Sequence, residues 1–303
     1  MPEIRPFRRS DRDQVTSLVN AHIEAVLPGV TVSPNAVLSQ LEREPHEALV
    51  DPWVVHRETW VAEEHGRIAG AAHLVRYGTD APVGPDLRGR GDVRWVLHRP
   101  GGTADAVGSA LLAAAVGSLR RQGASRIGAD VGLPAPAAYG VSDRWPHIGA
   151  ALERAGFVPG DRVEVVLAAD VDDLPHGGPP PLPGLSLRSG MGGHAHRSSA
   201  VLDDEVVGFY EVSGDLTEGG TKSRLAGWAD GWELWVRRDL RRRGIATWLL
   251  GHAADRLRLG GARRVLDYAI AAPEADVEPG VLPFLLARGY RELSRTRRGW
   301  RLP

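Results

Sequence analysis

Apolar positions along this chain switch repeatedly between a two-residue and a four-residue period, and the sharpest switch lies in the last third. Trp232, Leu234 and Val236 alternate with Glu233, Trp235 and Arg237, which is the period of a strand, and the alternation stops at Arg238-Asp239. Ile245, Leu249, Ala253 and Leu257 then fall four residues apart on one helix face. The pattern over 231–260 therefore predicts a strand, a tight turn and a helix.

The same reading covers the rest of the chain. Residues 3–8 predict a short strand, with Ser10 as N-cap of a helix over 11–26 that Leu27-Pro28-Gly29 ends. A second helix is expected over 34–44. Strand-like runs at 59–63 and 67–77 are joined by Glu64-His65-Gly66, a hairpin signal. A strand at 92–98, a helix at 104–122 and a strand at 125–131 follow, and 163–168 is expected to be the last strand of the first half. Residues 175–184 carry five prolines and read as a linker.

Beyond that linker the pattern recurs. Gly70 and Gly208, Gly108 and Ala246, and Gly123 and Gly261 each differ by 138 (208 − 70, 246 − 108, 261 − 123), and Gly156-Phe157 and Gly289-Tyr290 differ by 133 (289 − 156). Offsets this steady indicate a duplicated domain. The expected division is 1–172, a linker at 173–184, and 185–303. The second copy has no room between Gly184 and the hairpin near Val201 for a pair of helices like those at 11–44.

Composition narrows the chemistry. The 303 residues are long enough for two ordinary domains, and 43% apolar with 25% charged residues describes a globular protein. A net charge of −1 gives no global reason to bind nucleic acid or an acidic membrane. With no cysteine, thiol nucleophiles, disulfides and Cys-ligated metals are excluded. His194-x-His196 has no third ligand at strand or helix spacing, so no metal site is assigned. The N-terminus lacks a signal-like apolar core and no run of eighteen apolar residues occurs, so a cytoplasmic location is the expectation.

The turn ahead of the predicted helix reads Arg241-Arg242-Arg243-Gly244-Ile245-Ala246. A helix start offers unpaired amides and the positive end of the helix dipole, and glycine admits a ligand close to the main chain, so the turn suits a phosphate. The pattern Arg-x-x-Gly-x-(Gly/Ala) starts at Arg67, Arg99, Arg224 and Arg241, but only the last copy has a strand before it and an in-phase helix behind it.

Val236-x-x-x-x-Arg241-x-x-Gly244-Ile245-Ala246-x-x-Leu249-Leu250, with the hairpin phrase from Trp60 to Gly70, resembles the GNAT superfamily of acyl-CoA-dependent N-acetyltransferases. The resemblance implies an α/β fold of two GNAT-like domains in tandem. Each would have a mixed, mostly antiparallel sheet flanked by helices, with the CoA loop between the fourth strand and the next helix. It implies acetyl-CoA as co-substrate, held by Leu234, Trp235, Val236, Arg241, Arg242, Arg243, Gly244, Ile245, Ala246 and Thr247. In the first copy Thr103 and Ala106 stand where Arg241 and Gly244 stand, so that copy reads as degenerate.

The resemblance also implies a backbone N–H within 234–236 that polarises the thioester carbonyl. Glu233 is the candidate base, its pKa expected to rise through partial burial among Trp232 and Trp235, with Asp230 and Asp267 as substitutes. The tyrosine that many members carry as general acid is Leu285 here, so Tyr268 is the stand-in. The expected function is N-acetyl transfer to a primary amine of a small molecule by direct attack in a ternary complex, by a monomer or homodimer without nucleic-acid or membrane partners. The alternative is a CoA-binding tandem protein that regulates or scaffolds.

Overall fold

The computed structural model describes residues 2–43, 52–102, 104–214, 225, 227–271 and 280–303. Thr103 lies outside the described residues. The chain divides into two units, residues 1–163 with 295–303, and 164–294.

In the first unit β1 (Glu3–Pro6), β2 (Val54–Glu64), β3 (Arg67–Tyr77), β4 (Arg90–His98) and β5 (Arg126–Ala129) lie side by side in sequence order. Neighbours are antiparallel except β4 and β5, which run parallel. The β2–β3 turn is His65-Gly66, both at positive φ, as a two-residue turn matched to strand twist requires. Helices α1 (Arg12–Val26) and α2 (Pro34–Leu41) pack on the β2–β4 strands, as does α3 (Ala104–Arg121). Ala71 through Val75 are all buried, so both faces of β3 are covered. The N-cap of α1 is Asp11, not Ser10. A 3-10 turn over 9–11 precedes the helix, and Arg5 and the Arg8 amide hold the Asp11 carboxylate.

The short β6 (Val141–Ser142) and α4 (Pro146–Arg154) complete the first half. The next strand corrects the expectation for 163–168. β7 (Val163–Asp170) is antiparallel to β12 (Arg264–Ile270) over seven residue pairs and belongs to the second unit from Glu164 onward. The place beside β5 is taken by β14 (Trp300–Leu302), the end of the chain. Pairing of this kind is non-local, and a strand's own pattern carries no record of its neighbour.

The second unit continues with β8 (Ser186–Met191), β9 (His196–Leu202), β10 (Glu205–Ser213) and β11 (Trp228–Val236). Next come α5 (Ile245–Leu259), β12, α6 (Val281–Leu286) and β13 (Arg291–Arg297), whose last residues enter the first unit. The sheet runs β8-β9-β10-β11-β12-β7-β13-β6, eight strands against the six of the β1–β5 and β14 sheet. β8 turns directly into β9 through residues 192–195, with no helix between them. The buried Glu211 carboxylate holds that turn, accepting from the Gly193 amide at 2.9 Å and from Arg197 Nε at 2.5 Å.

Residues 173–184 are not a free linker but part of the second unit, laid along α5. The Gly177 amide donates to Asp255 at 2.8 Å, Trp248 Nε1 donates to the Gly178 carbonyl at 2.8 Å, and Arg258 donates to the carbonyls of Val171 and Leu174. Proline removes donors, so glycines and carbonyls make these bonds.

Candidate active site

Two irregularities of β11 shape the site. β11 pairs in parallel with β12 only at Trp228–Arg264, Ala229–Val265 and Asp230–Leu266, and beyond these the strands part. On its other edge Gly231 faces Val212 and Glu233 faces Glu211, so Trp232 is an extra residue, a β-bulge. From Gly231 to Val236 β11 is therefore paired on one side only. Alternate amides of such a strand point across the open slot.

The bend at the end of β11 follows. Arg237 N donates to Val207 O at 2.8 Å, a 3-10 turn spans Arg238–Leu240, and Arg241 Nε donates to Val236 O at 2.8 Å. Arg241 thus ties the bend to the strand end. Arg242 and Gly244 both have positive φ, 62° and 89°, and Gly244 is the N-cap of α5 with no side chain capping it. Arg242, Arg243 and Gly244 are exposed. The first-turn amides of α5 have no partner within the helix, and two exposed guanidinium groups flank them, a donor set that fits a diphosphate. A Cβ placed on Gly244 would stand 3.1 Å from the Pro181 ring, so packing of the 173–184 segment also requires glycine there.

Side chains of the other expected binding residues face elsewhere. Ile245 is core, Leu234 and Ala246 pack against the core, Val236 is buried, and Thr247 Oγ1 accepts from Arg288 at 3.1 and 3.2 Å. Only their main chain is free to serve a ligand. Trp235 is 36% exposed beside Phe209, and Trp232, 52% exposed, is stacked by His194 at 5.0 Å.

Glu233 does not have the environment expected of it. It is exposed, because the neighbouring tryptophans also face outward and no helix precedes β9 in this unit. Burial therefore gives it no help as a base.

The carboxylates where the strands part are different. Asp230 Oδ1 accepts from Tyr268 Oη at 2.7 Å, and Asp267 Oδ2 accepts from Tyr210 Oη at 2.7 Å. Strand alternation puts the first pair on one face of the sheet and the second on the other, within the core that α5 covers. Desolvation pushes the Asp230 carboxyl up to about 6, with the Tyr268 hydrogen bond pulling the other way. Burial pushes Asp267 up to about 6 as well, and pushes Tyr210 well above its ordinary value. Asp267 is sealed, since a Cβ on Gly231 would meet both it and the Tyr210 hydroxyl within 3 Å. Tyr268 is half-buried rather than core. Leu285 is fully buried, so no acid comes from α6. Among the described residues no group of three or more metal-ligating side chains is placed to hold an ion.

Residues 173–276 match the model of the acetyltransferase (GNAT) family. This part of the chain is a GNAT domain. The whole chain has the tandem GNAT fold: a tandem GNAT protein of the clavulanic acid biosynthesis pathway matches 99% of it and 98% of its own length, at TM-score 0.62 and 19% identity. A GCN5-related N-acetyltransferase from Sphaerobacter thermophilus matches at TM-score 0.63 and 17% identity, covering 99% of this chain and 95% of its own. A GCN5-related glucosamine N-acetyltransferase region of a fungal multi-domain beta-N-acetylglucosaminidase matches at 0.62 and 16%, where this chain spans 38% of that longer protein. A search of curated proteins gives no match. No described helix is long and apolar enough to cross a membrane.

The Asp230–Tyr268 contact was missed by reasoning from sequence, which treated the two residues separately. One signal was present. Asp92 stands 138 residues before Asp230 (230 − 92), an aspartate at the same place in both copies.

Proposed function

We propose that the second unit is an N-acetyltransferase that moves an acetyl group from acetyl-CoA to a primary amine of a small molecule, by direct attack in a ternary complex. The observation that carries this is the parting of β11 from β12 after Asp230, next to an uncapped helix start bearing exposed arginines. The α5 amides with Arg242 and Arg243 would hold the diphosphate. The unpaired edge of β11 would align the acyl donor in the slot, and acetyl-CoA supplies the activated acyl group. Amides on a paired strand are already fixed in place, so they stabilise developing oxyanion charge with little reorganisation.

The amine must lose a proton. Asp230 suits the task better than Glu233, being desolvated at the parting of the strands, and its raised pKa lets it both hold and release a proton near neutrality. A second reading, a CoA-binding protein with little catalysis, is favoured by one observation, the buried Leu285 in place of a tyrosine acid. Thiol release from acetyl-CoA over a panel of primary amines, with calorimetric titration of acetyl-CoA, separates the two. Turnover supports transfer, and binding without turnover supports the second reading.

A further inference from the structure

We propose that the open face of β10 and β11 binds the far end of the acceptor, and that the acceptor is an α,ω-diamine whose second ammonium is held by Glu233 beside Trp232 and Trp235. The proposal rests on the N-acetyltransferase reading and deepens it by naming the substrate class. Ala229, Leu234 and Val236 face the core under α5, so Asp230, Glu233 and Trp235 share the opposite face. The bulge sets Trp232 and Glu233 together against Glu211, and Trp235 stands against Phe209. β8 turns directly into β9, so no helix like α1 or α2 covers these side chains, and Trp232, Glu233 and Trp235 stay exposed.

The chemistry of this face suits a cation. His194 stacks on Trp232 and Phe209 packs against Trp235, ring centres 5.7 Å apart, so both indoles are braced. Arg197 lies 4.0 Å over the Phe209 ring and is engaged by the buried Glu211, and Arg237 is engaged by Glu205 and Asp239. Glu233 stands between the two tryptophans in the strand. Indole faces attract an ammonium and the carboxylate pairs with it, whereas an apolar partner would strip Glu233 of water and return nothing.

Spacing sets the length of the acceptor. Asp230, the base of the proposed reaction, and Glu233 are three residues apart on a strand that the bulge shortens between them. At about 3.3 Å per residue less that shortening, their main chains stand roughly 7–10 Å apart, which an extended chain of about four to six methylenes spans. One nitrogen then lies at Asp230 and the other at Glu233. A monoamine of equal length leaves Glu233 to water.

The test uses the full chain, acetyl-CoA and two acceptors, 1,5-diaminopentane and 1-aminopentane. An exposed ion pair and an exposed cation–π contact are each worth a factor of a few, so the native chain should favour the diamine about tenfold in kcat/KM. That is beyond the roughly twofold gain from its two equivalent ends. Glu233→Gln should cut the preference to less than about threefold, through a higher KM for the diamine and not through kcat. Trp232→Leu should raise the same KM about threefold.

Turnover of amines with no preference for the diamine, or a preference that Glu233→Gln leaves intact, overturns the subsite while the acetyltransferase reading stands. A fall in kcat for both acceptors alike in Glu233→Gln makes Glu233 a base and overturns it too. Sedimentation should give the same mass for the native chain and Trp232→Leu. A dimer that Trp232→Leu disperses would put a second copy on this face in place of the diamine. Acetyl-CoA binding with no turnover of either acceptor or of the wider panel overturns both the subsite and the reading it rests on.

Discussion

The two units contain the same slot, finished differently. In the first, β4 and β5 pair in parallel over Arg90–Arg126 to Val93–Ala129, and Arg94 is the extra residue of a bulge, the counterpart of Trp232 at the offset of 138 (232 − 94). Asp92 occupies the place of Asp230, and burial pushes its carboxyl up too. Its partner, however, is Arg90 at 2.7 Å, on its own strand, and the pair lies over Gly128. The fixed charge of an arginine ties Asp92 into an ion pair that favours its carboxylate, whereas Asp230 has only a neutral hydroxyl as its partner. Behind the slot, the buried His98 faces Gly108 of α3, and His22 stands 3.3 Å from His147. Burial holds His22 down to about 4, so this group is neutral packing. The difference teaches that a duplicated backbone keeps its bulge while the partner of one aspartate decides whether chemistry is available.

The largest expected effect breaks that comparison outright. Asp230→Asn should lower kcat by on the order of 100-fold with acetyl-CoA affinity nearly intact. Asp92→Asn should leave kcat within about twofold. Steady-state kinetics on both variants check this, and an equal loss from the two would remove the distinction drawn between the units.

The next effect is on stability. Asp267 has a folded pKa of about 6, raised above its ordinary value, so its contribution is fully present below about 4 and is lost as pH rises through about 6. Asp11 in the first unit has the opposite sign. Arg5 lowers its pKa, so its stabilisation is present above the ordinary carboxylate range and lost on acidification. Asp267→Asn should therefore flatten the fall in stability between pH 4 and 7, by on the order of 2 kcal/mol. Denaturant titrations at several pH values would show it. An unchanged slope would mean that Asp267 is not the titrating group.

A smaller effect concerns the bend. Reversing Arg242 and Arg243 to glutamate should weaken acetyl-CoA binding roughly tenfold at low salt and less at high salt. Arg99→Glu, at the bend of the first unit, should change it little. Gly244 is a poorer probe, because any side chain there meets both a positive φ and the Pro181 ring. Last, Glu233→Gln should change the rate less than about threefold, as an exposed carboxylate is dispensable where Asp230 serves. A tenfold loss would return the base to Glu233.

Local features were legible. The His65-Gly66 turn, the α5 face of Ile245, Leu249, Ala253 and Leu257 and the Arg241–Gly244 bend follow from neighbours in sequence, and the duplication from a steady offset of 138 along it. So did the missing helices ahead of β9, which required only counting residues. Contacts between distant segments were not legible: β7 leaving its own half for β12, residues 173–184 docking on α5, and the outward turn of Glu233.

Periodicity, glycine at positive φ and helix caps depend on a few adjacent dihedrals, so the amino-acid order was enough to specify the elements, their succession and the bend ahead of α5. Which strand lies beside which, and whether an aspartate meets an arginine or a tyrosine, depends on groups tens of residues apart. Asp230 and Tyr268 are 38 residues apart in the chain and 2.7 Å apart in the fold. Only folding brings them together, and removal of water around the aspartate as the strands pack is what changes its chemistry.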